Sequence, residues 1–300
     1  MLNCFKTKSC FPVVFWMGLW VATATAQGGL TPSELLFQPR SGEAEYVELY
    51  NPTDGPVNLA DYHIVRWIGD TLGSHYPLPI YIVAPHDFVV LTKDATSVAT
   101  QYAVKRVSKL VECDLPPYPN GGGTLILATA EGEVVERLDY TPLMHSPLLR
   151  NKNGVAIERR SFERPCNEVS NWFSASSTAG YGTPTYANSQ STELLAEETA
   201  FSLSTTLLSP NGDGYEDGLT IGYELAEEGL YAQMEVYDAH GNRVARLANN
   251  ALLGTHGEVG WDGHGDGGAI LPMGRYVLYI NLYDQHGTRQ VIKRTVSIVY

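Results

Sequence analysis

At 300 residues, with 44% hydrophobic and 18% charged residues, the chain is too apolar for a disordered protein and long enough for two ordinary domains. Its 20 basic residues against 33 acidic ones, a formal net charge of −13, argue against nucleic acid or an anionic lipid surface as a partner for the protein as a whole. Twenty-nine glycines, 17 prolines and 18 tyrosines, with few helix-forming runs, point to an all-β protein with many turns.

Residues 1–26 have the pattern of a cleavable signal peptide. Lys6 and Lys8 precede the apolar run "FPVVFWMGLWVATATA", which closes on the small residues Ala24 and Ala26. The run is shorter than the roughly 20 residues that span a bilayer. Cys10 lies before the run, which argues against a lipoprotein anchor. Cleavage after Ala26 makes Gln27 the first residue. Removing Lys6 and Lys8 leaves 18 basic residues against 33 acidic ones, a net charge near −15. Export also leaves only Cys113 and Cys166, which in an oxidising compartment either form one bridge or stay as two buried thiols.

From residue 33 onward, short β-like runs alternate with turn signals. They are "SELLFQP", "EYVELYN", "YHIVRW", "DFVVLT", "TLILAT", "VVERLDY" and "VAIERR", separated by segments such as "NPTDGP", "PNGGG" and "NKNG". In "EYVELYN", Val47 and Leu49 share one face while Glu48 and Tyr50 share the other, the period of a half-buried strand. Residues 190–199, within "YANSQSTELLAEETA", lack any β pattern and read as a linker between a domain at 27–189 and another at 200–300. The strand rhythm then resumes. Ala232, Met234 and Val236 align on one face, as do Leu278, Ile280 and Leu282. This spacing predicts a β-sandwich in each half.

The first half resembles the lamin-tail domain. "SELLFQPRSGEAEYVELYNPTDGPVNLADYHIVRW" is similar to that family's opening strand and its E-[WY]-[VI]-E-L-x-N core. "LPPYPNGGGTLILATAEGEVVERLDY" resembles its central hairpin. "GVAIERRSFERPCNEVSNWFSASSTAGYGTPTYAN" resembles its closing G-x-[SA]-[LI]-E-R … W … GTPG-x-x-N pattern, with Thr185 where the last glycine usually stands. The resemblance spans residues 30–189 and implies an immunoglobulin-like sandwich used for binding or attachment in exported bacterial proteins. The second half resembles the immunoglobulin-like C-terminal module of the flagellar hook-capping type. The carrying residues are Ser209-Pro210-Asn211-Gly212-Asp213-Gly214, Gly241-Asn242-Arg243-Val244, Trp261-Asp262-Gly263 and Leu271-Pro272-Met273-Gly274-Arg275-Tyr276, with Leu208 where an aromatic is common. Related modules end many exported proteins of Bacteroidetes-like bacteria, and some are sorting signals for type IX secretion.

Few segments invite chemistry. "NGDGYEDG" fails the EF-hand pattern, because Tyr215, Glu216 and Gly222 fall at loop positions 5, 6 and 12. Asn211, Asp213, Glu216 and Asp217 remain candidates for a looser calcium site, against turn acids that cap their own backbone. Asp262, His264 and Asp266 alternate, but the glycines between them favour a turn. No H-E-x-x-H, G-x-S-x-G or P-loop is present. His86 beside Asp87 reads as a turn into a strand. Arg150, Lys152, Arg159 and Arg160 form the best local basic patch, read as a solvated loop and strand. Tyr46, Tyr50, Tyr62, Trp67, Tyr76, Tyr81 and Tyr118 serve either packing or the stacking of sugars.

The expectation is therefore a non-catalytic exported binding or attachment protein, without a required cofactor. Its partner is a cell-surface protein or polysaccharide, and its location the periplasm, the outer surface or the medium. The alternatives are a carbohydrate-binding module that serves a separate hydrolase and, more remotely, an unrecognised hydrolase.

Overall fold

The structure, a computed structural model, describes residues 29–69, 71–196 and 198–300. The expected signal peptide lies outside the described residues.

The first sandwich is built from β1 (Thr31–Leu36), β2 (Tyr46–Tyr50), β3 (Val57–Asn58), β4 (Tyr62–Ile68), β5 (Thr71–Pro77), β6 (Ile82–Val83), β7 (Phe88–Thr92), β8 (Leu110–Glu112), β9 (Gly123–Thr129), β10 (Val134–Tyr140), β11 (Ile157–Arg159) and β12 (Trp172–Ser174). A six-stranded sheet, ordered β12-β11-β1-β2-β7-β8, faces a four-stranded sheet, ordered β10-β9-β4-β5. Alternation decides which side chains meet between them. Leu35, Val47, Leu49, Val89, Leu91 and Ile157 from one sheet pack on Ile64, Leu125, Leu127, Leu138 and Tyr140 from the other. Burial of each large side chain stabilises by about 1.5–3 kcal/mol.

The half-buried reading of β2 needs correction. All six residues of β1 and four of the five in β2 are buried, so the six-stranded sheet is covered on both faces. On the second face Leu36, Tyr46, Val90, Ala156 and Ala175 pack with Val98 and Tyr102. Val98 belongs to the helix α1 (Ala95–Gln101), which is capped by the Asp94 carboxylate accepting from Ser97 N–H at 2.9 Å. The rest of this face is covered by the segment 176–191, which crosses it as a strap.

The second sandwich contains β13 (Ala200–Leu203), β14 (Leu207–Leu208), β15 (Leu219–Glu224), β16 (Tyr231–Tyr237), β17 (Arg243–Leu252), β18 (His256–Trp261), β19 (Gly274–Tyr283) and β20 (Arg289–Ile298). Its sheets run β13-β15-β18 and β14-β20-β19-β16-β17, with β14 parallel to β20. Met234, Val236, Leu278, Ile280 and Leu282 point into one core with Ile221, Leu219 and Trp261, as the alternation predicts. Trp261 meets Tyr276 edge-on at 6.4 Å and donates Nε1–H to the His264 carbonyl at 3.0 Å. The two halves are thus tandem immunoglobulin-like β-sandwiches.

Cys113 and Cys166 are both free, so the bridge weighed from the sequence is not formed. The reason is topological. Cys113 follows β8, and the Cys166 carbonyl accepts from Trp172 Nε1–H of β12 at 2.7 Å. These strands are opposite edges of the six-stranded sheet. Five strand spacings of about 4.8 Å separate them, far beyond the reach of a disulfide.

Candidate functional site

The most unusual chemistry lies on the covered face of the six-stranded sheet. Glu34 on β1 stands directly opposite Glu48 on β2 and Glu158 on β11. Three carboxylates therefore form a row across three adjacent strands, and all three are 0% exposed. Desolvation by burial raises all three above the ordinary carboxylate range, and repulsion from neighbouring carboxylates adds to it at Glu34, which reaches about 8, and at Glu48. Glu34 holds its proton at neutral pH.

The strap supplies hydrogen bonds to this row. Thr183 N–H donates to both Glu34 oxygens at 3.0 and 3.1 Å, and Tyr46 O–H donates to Glu34 Oε1 at 2.6 Å. Thr183 Oγ1 lies 2.7 Å from Glu158 Oε1 and 3.1 Å from Glu34 Oε2. A hydroxyl carries one proton, and the shorter contact gives it to Glu158. Glu34 then completes the relay as a carboxylic acid that donates to Thr183 Oγ1. Glu158 also accepts from Ser189 O–H at 2.7 Å and Gln190 N–H at 3.0 Å, so it is the member best furnished to carry charge. Glu48 accepts from Thr185 N–H at 2.6 Å, while its Oε1 has no partner.

Two backbone positions let the strap lie this close. Gly182 has no room for a side chain: a Cβ there would meet Tyr46 Oη and Tyr102 Cδ1 at 2.7 Å. Thr185, which stands where the resembled pattern has glycine, has φ +78°. That left-handed backbone is strained for a β-branched residue. Thr185 is retained by the bond to Glu48 and by its Oγ1, which accepts from Arg106 N–H at 3.2 Å.

The strap leads directly into a seam with the second sandwich. Ser177 N–H donates to the Leu252 carbonyl at 2.8 Å, and Thr255 N–H donates to the Ser189 carbonyl at 2.7 Å. Gln190 Nε2–H donates to the Leu253 carbonyl at 3.0 Å. A Cβ at Gly254 would meet the Ser189 carbonyl at 2.7 Å, so glycine permits that approach. Tyr231 O–H donates to Ser146 Oγ at 2.6 Å, and Arg160 pairs with Glu228 at 2.6 Å. Of the segment expected as a linker, Gln190 and Ser191 are buried, while Glu193 and Leu194 are exposed.

The acidic loop at 211–217 is tied to itself. Asp217 accepts from Gly212 N–H and Gly214 N–H, both at 2.6 Å, and Asp213 accepts from Tyr215 N–H at 2.8 Å. Asn211 accepts from Asp213 N–H at 2.9 Å, and Glu216 accepts from Thr205 O–H at 3.0 Å. Asp262 accepts from His264 N–H at 3.1 Å, and Asp266 from Arg246 N–H at 2.8 Å. Among the described residues, no three acidic, histidine or cysteine side chains converge as a metal site. His86 lies 3.0 Å from Asp54, exposed, while Asp87 pairs with Lys109. The basic patch disperses: Arg159 is buried against Thr31 and the Ser161 carbonyl, and Lys152 donates to the Pro142 carbonyl.

The aromatics divide by face. Tyr46 and Tyr118 are buried, and Tyr62, Tyr76 and Tyr81 pack against the main core. Tyr50 stacks on Phe162 at 4.3 Å. Trp67 instead joins Val65, Ile126 and Ala128 in a separate cluster on the outer side of the four-stranded sheet. There the Arg137 guanidinium lies 4.6 Å from its ring, and Asn167 and Thr124 hold Asp139 nearby.

A fully buried acid row, its strap and the seam define a tandem sandwich protein of fixed internal architecture. Residues 23–142 match the Lamin Tail Domain family, and residues 202–298 match the CHU_C type IX secretion signal domain. The chain contains a lamin tail domain followed by a type IX secretion signal domain. The first match ends at Pro142, whereas β11, β12 and the strap continue the sandwich beyond it. No curated protein matches the chain. Among solved structures, CopC from Methylosinus trichosporium OB3b is 13% identical over 34% of this chain and 91% of that one, with a TM-score of 0.23. Dimeric latent PorU from Porphyromonas gingivalis is 12% identical over 90% of this chain and 20% of that one, with a TM-score of 0.28. An exo-chitosanase CsxA from Amycolatopsis orientalis, in complex with PNP-beta-D-glucosamine, is 12% identical over 87% of this chain and 26% of that one, with a TM-score of 0.23. The chain spans only a small part of these last two, and likeness at this level carries no functional argument.

Two outcomes follow from the acid row. The folded pKa of Glu34 lies above its unfolded value of 4.5, so its stabilising contribution is complete below that value and lost as pH rises toward 8. His145 has the opposite sign: burial lowers its pKa to about 4, and its effect ends once the unfolded imidazole is neutral. Between pH 7 and 8.5 the melting temperature of the wild type should therefore fall by several degrees, and Glu34→Gln should flatten that fall. Parallel profiles for the two proteins would reject a proton held at Glu34. At Thr185, glycine relieves the left-handed strain but forfeits the bond to Arg106, so Thr185→Gly should change stability by no more than about 1 kcal/mol. Thr185→Val keeps the strain and loses the bond, and should unfold at lower denaturant than Thr185→Gly.

Proposed function

We propose that this is an exported, non-catalytic attachment protein of a type IX-secreting bacterium of the Bacteroidetes type. Its lamin tail domain binds a cell-surface protein or polysaccharide, and its second sandwich directs sorting. The observation that carries the reading is the match of residues 202–298 to a type IX secretion signal domain, which points to export or surface sorting. Both matched modules are of non-catalytic types. The seam supports a single delivered unit, in which the sorting module is bonded to the binding module. The leader pattern at residues 1–26 supplies passage across the inner membrane, with cleavage before Gln27. No helix among the described residues is long and apolar enough to cross a membrane. The full chain, expressed in a type IX-competent strain, should reach the cell surface or medium and begin at Gln27. In a strain with a disabled type IX translocon it should remain in the periplasm. The same distribution in both strains would reject the sorting role.

Polysaccharide binding is favoured by one observation, the outer face around Trp67, where an aromatic ring lies beside Arg137, Asp139 and Asn167. Trp67 is half-buried and shares its ring with Arg137, so a sugar would meet the ring's remaining exposed surface while the polar neighbours bond its hydroxyls. On a glycan array the wild type should retain a polysaccharide that Trp67→Ala binds about tenfold more weakly. Equal retention by both would remove this face from consideration.

A further inference from the structure

Where the strap meets the edge strand β17 of the second sandwich there is a cleft of about 440 Å³, the size of a small-ligand site. Three separate stretches of chain line it with Arg40: the loop 148–155, the strap at Tyr181, and β17 at Asn249 and Asn250. Acids outnumber bases 33 to 20 in the chain, yet none of the eleven residues lining this cleft is acidic. Four are asparagines and two are arginines.

The backbone is bent to bring these amides together. Successive residues of a regular strand face opposite ways, so a regular β17 would not turn both Asn249 and Asn250 toward one cleft. The pairing of β16 with β17 skips at this point. Ala232 stands opposite Ala251 and Met234 opposite Ala248, which leaves Asn249 and Asn250 against Gln233 alone. Asn250 takes φ +53° in this bulge, and Tyr181 has φ +69°. Two of the five non-glycine residues with left-handed backbone among the described residues therefore line the same cleft. Such conformations are costly and concentrate at functional sites.

The hydrogen bonds already made decide what the cleft lacks. Asn151 Oδ1 accepts from Asn153 N–H at 3.0 Å, Asn153 Oδ1 from Gln38 Nε2–H at 2.6 Å, and Asn250 Oδ1 from Tyr283 O–H at 2.6 Å. Three amide oxygens are thus engaged, and the Nδ2–H donors are left over. Arg40 is met by Glu43 at 3.5 Å. Arg150 is exposed and, among the described residues, its guanidinium has neither an ion pair nor a hydrogen bond.

The ligand that fits is rich in acceptors and carries a negative charge. A nucleic acid meets that description but is repelled by a chain of net charge −13. A peptide brings a backbone N–H at nearly every residue, and the acceptors it needs are the oxygens already engaged. A lone inorganic anion occupies one group of donors and leaves the amides of the other stretches idle. A uronic acid has one carboxylate, which an arginine holds bidentately, beside ring and hydroxyl oxygens. We propose that this cleft binds an acidic saccharide, with the sugar carboxylate on Arg150 and its ring and hydroxyl oxygens accepting from Asn151, Asn249 and Asn250. It deepens the polysaccharide-attachment reading, on which it rests, by naming a class of sugar and a place for it away from Trp67.

Tetramers of galacturonate, mannuronate and guluronate are titrated calorimetrically against the purified full chain. At least one should bind, and its methyl ester, which keeps the ring but not the charge, should bind about tenfold more weakly. Arg150→Ala should weaken the tetramer by about the same factor. Asn250→Gly, which keeps the left-handed backbone and removes only the amide, should weaken it about threefold. Both positions are exposed, so both variants should melt like the wild type. Trp67→Ala should bind the tetramer unchanged. The proposal is overturned if no tetramer binds, if the ester binds equally, if Arg150→Ala is indifferent, or if hexaglutamate binds as tightly as the sugar. Binding lost in Trp67→Ala but kept in Arg150→Ala also overturns it, and leaves polysaccharide attachment standing.

Discussion

Three acids stand in line across β1, β2 and β11 with no exposure to water and no cation among their neighbours. Charged together in a low-dielectric interior they would repel one another and the fold that encloses them. Protons and donors remove that difficulty, and nearly all the donors come from one segment. Thr183, Thr185, Ser189 and Gln190 approach the row in order, so the acids determine where the strap runs. The strap in turn fixes the seam, because the carbonyl of Ser189 and the side chain of Gln190 reach the second sandwich from the same short stretch that bonds Glu158. An electrostatic problem inside one sandwich thereby positions the next.

Much of this architecture is legible in local pattern. The alternation of Val47 with Leu49, and of Ala232, Met234 and Val236, names the core faces because a strand has period two wherever one face meets a core. Motif order in each half gives two modules. The fate of the other face is a different matter. Glu48 between two apolar residues has the local signature of a solvated position, and nothing within several residues announces that it is covered. What covers it lies 137 residues away at Thr185. Long-range closure of this kind leaves no periodic trace. A signal that could have found it is the glycine-containing closing pattern and its departure at Thr185, since a glycine fixed in a pattern marks a backbone that needs positive φ.

The cysteines and the stretch leading into the second sandwich carry the same limit. Compartment and count permit a bridge between Cys113 and Cys166, but strand order places them at opposite edges. In "NSQS" the absence of a β pattern is plain, but not that its polar residues bond acids and carbonyls in the interior. Polar composition separates exposed from buried chain only when the interior is apolar, and here it is not.

The strap also has a consequence in time. The bond from Thr183 to Glu34 spans 149 residues of chain. Until the strap arrives, β1 and β2 can pair with each other and with β7, but the acid row stands open to water and ionised, a state that opposes enclosure. The first module therefore completes late, when nearly two thirds of the polypeptide has emerged, and the stretch that completes it is contiguous with the stretch that begins the second. The nascent chain therefore stays pliant until the strap emerges, and the second module waits longer still, for β20 (Arg289–Ile298) to pair with β14 and β19.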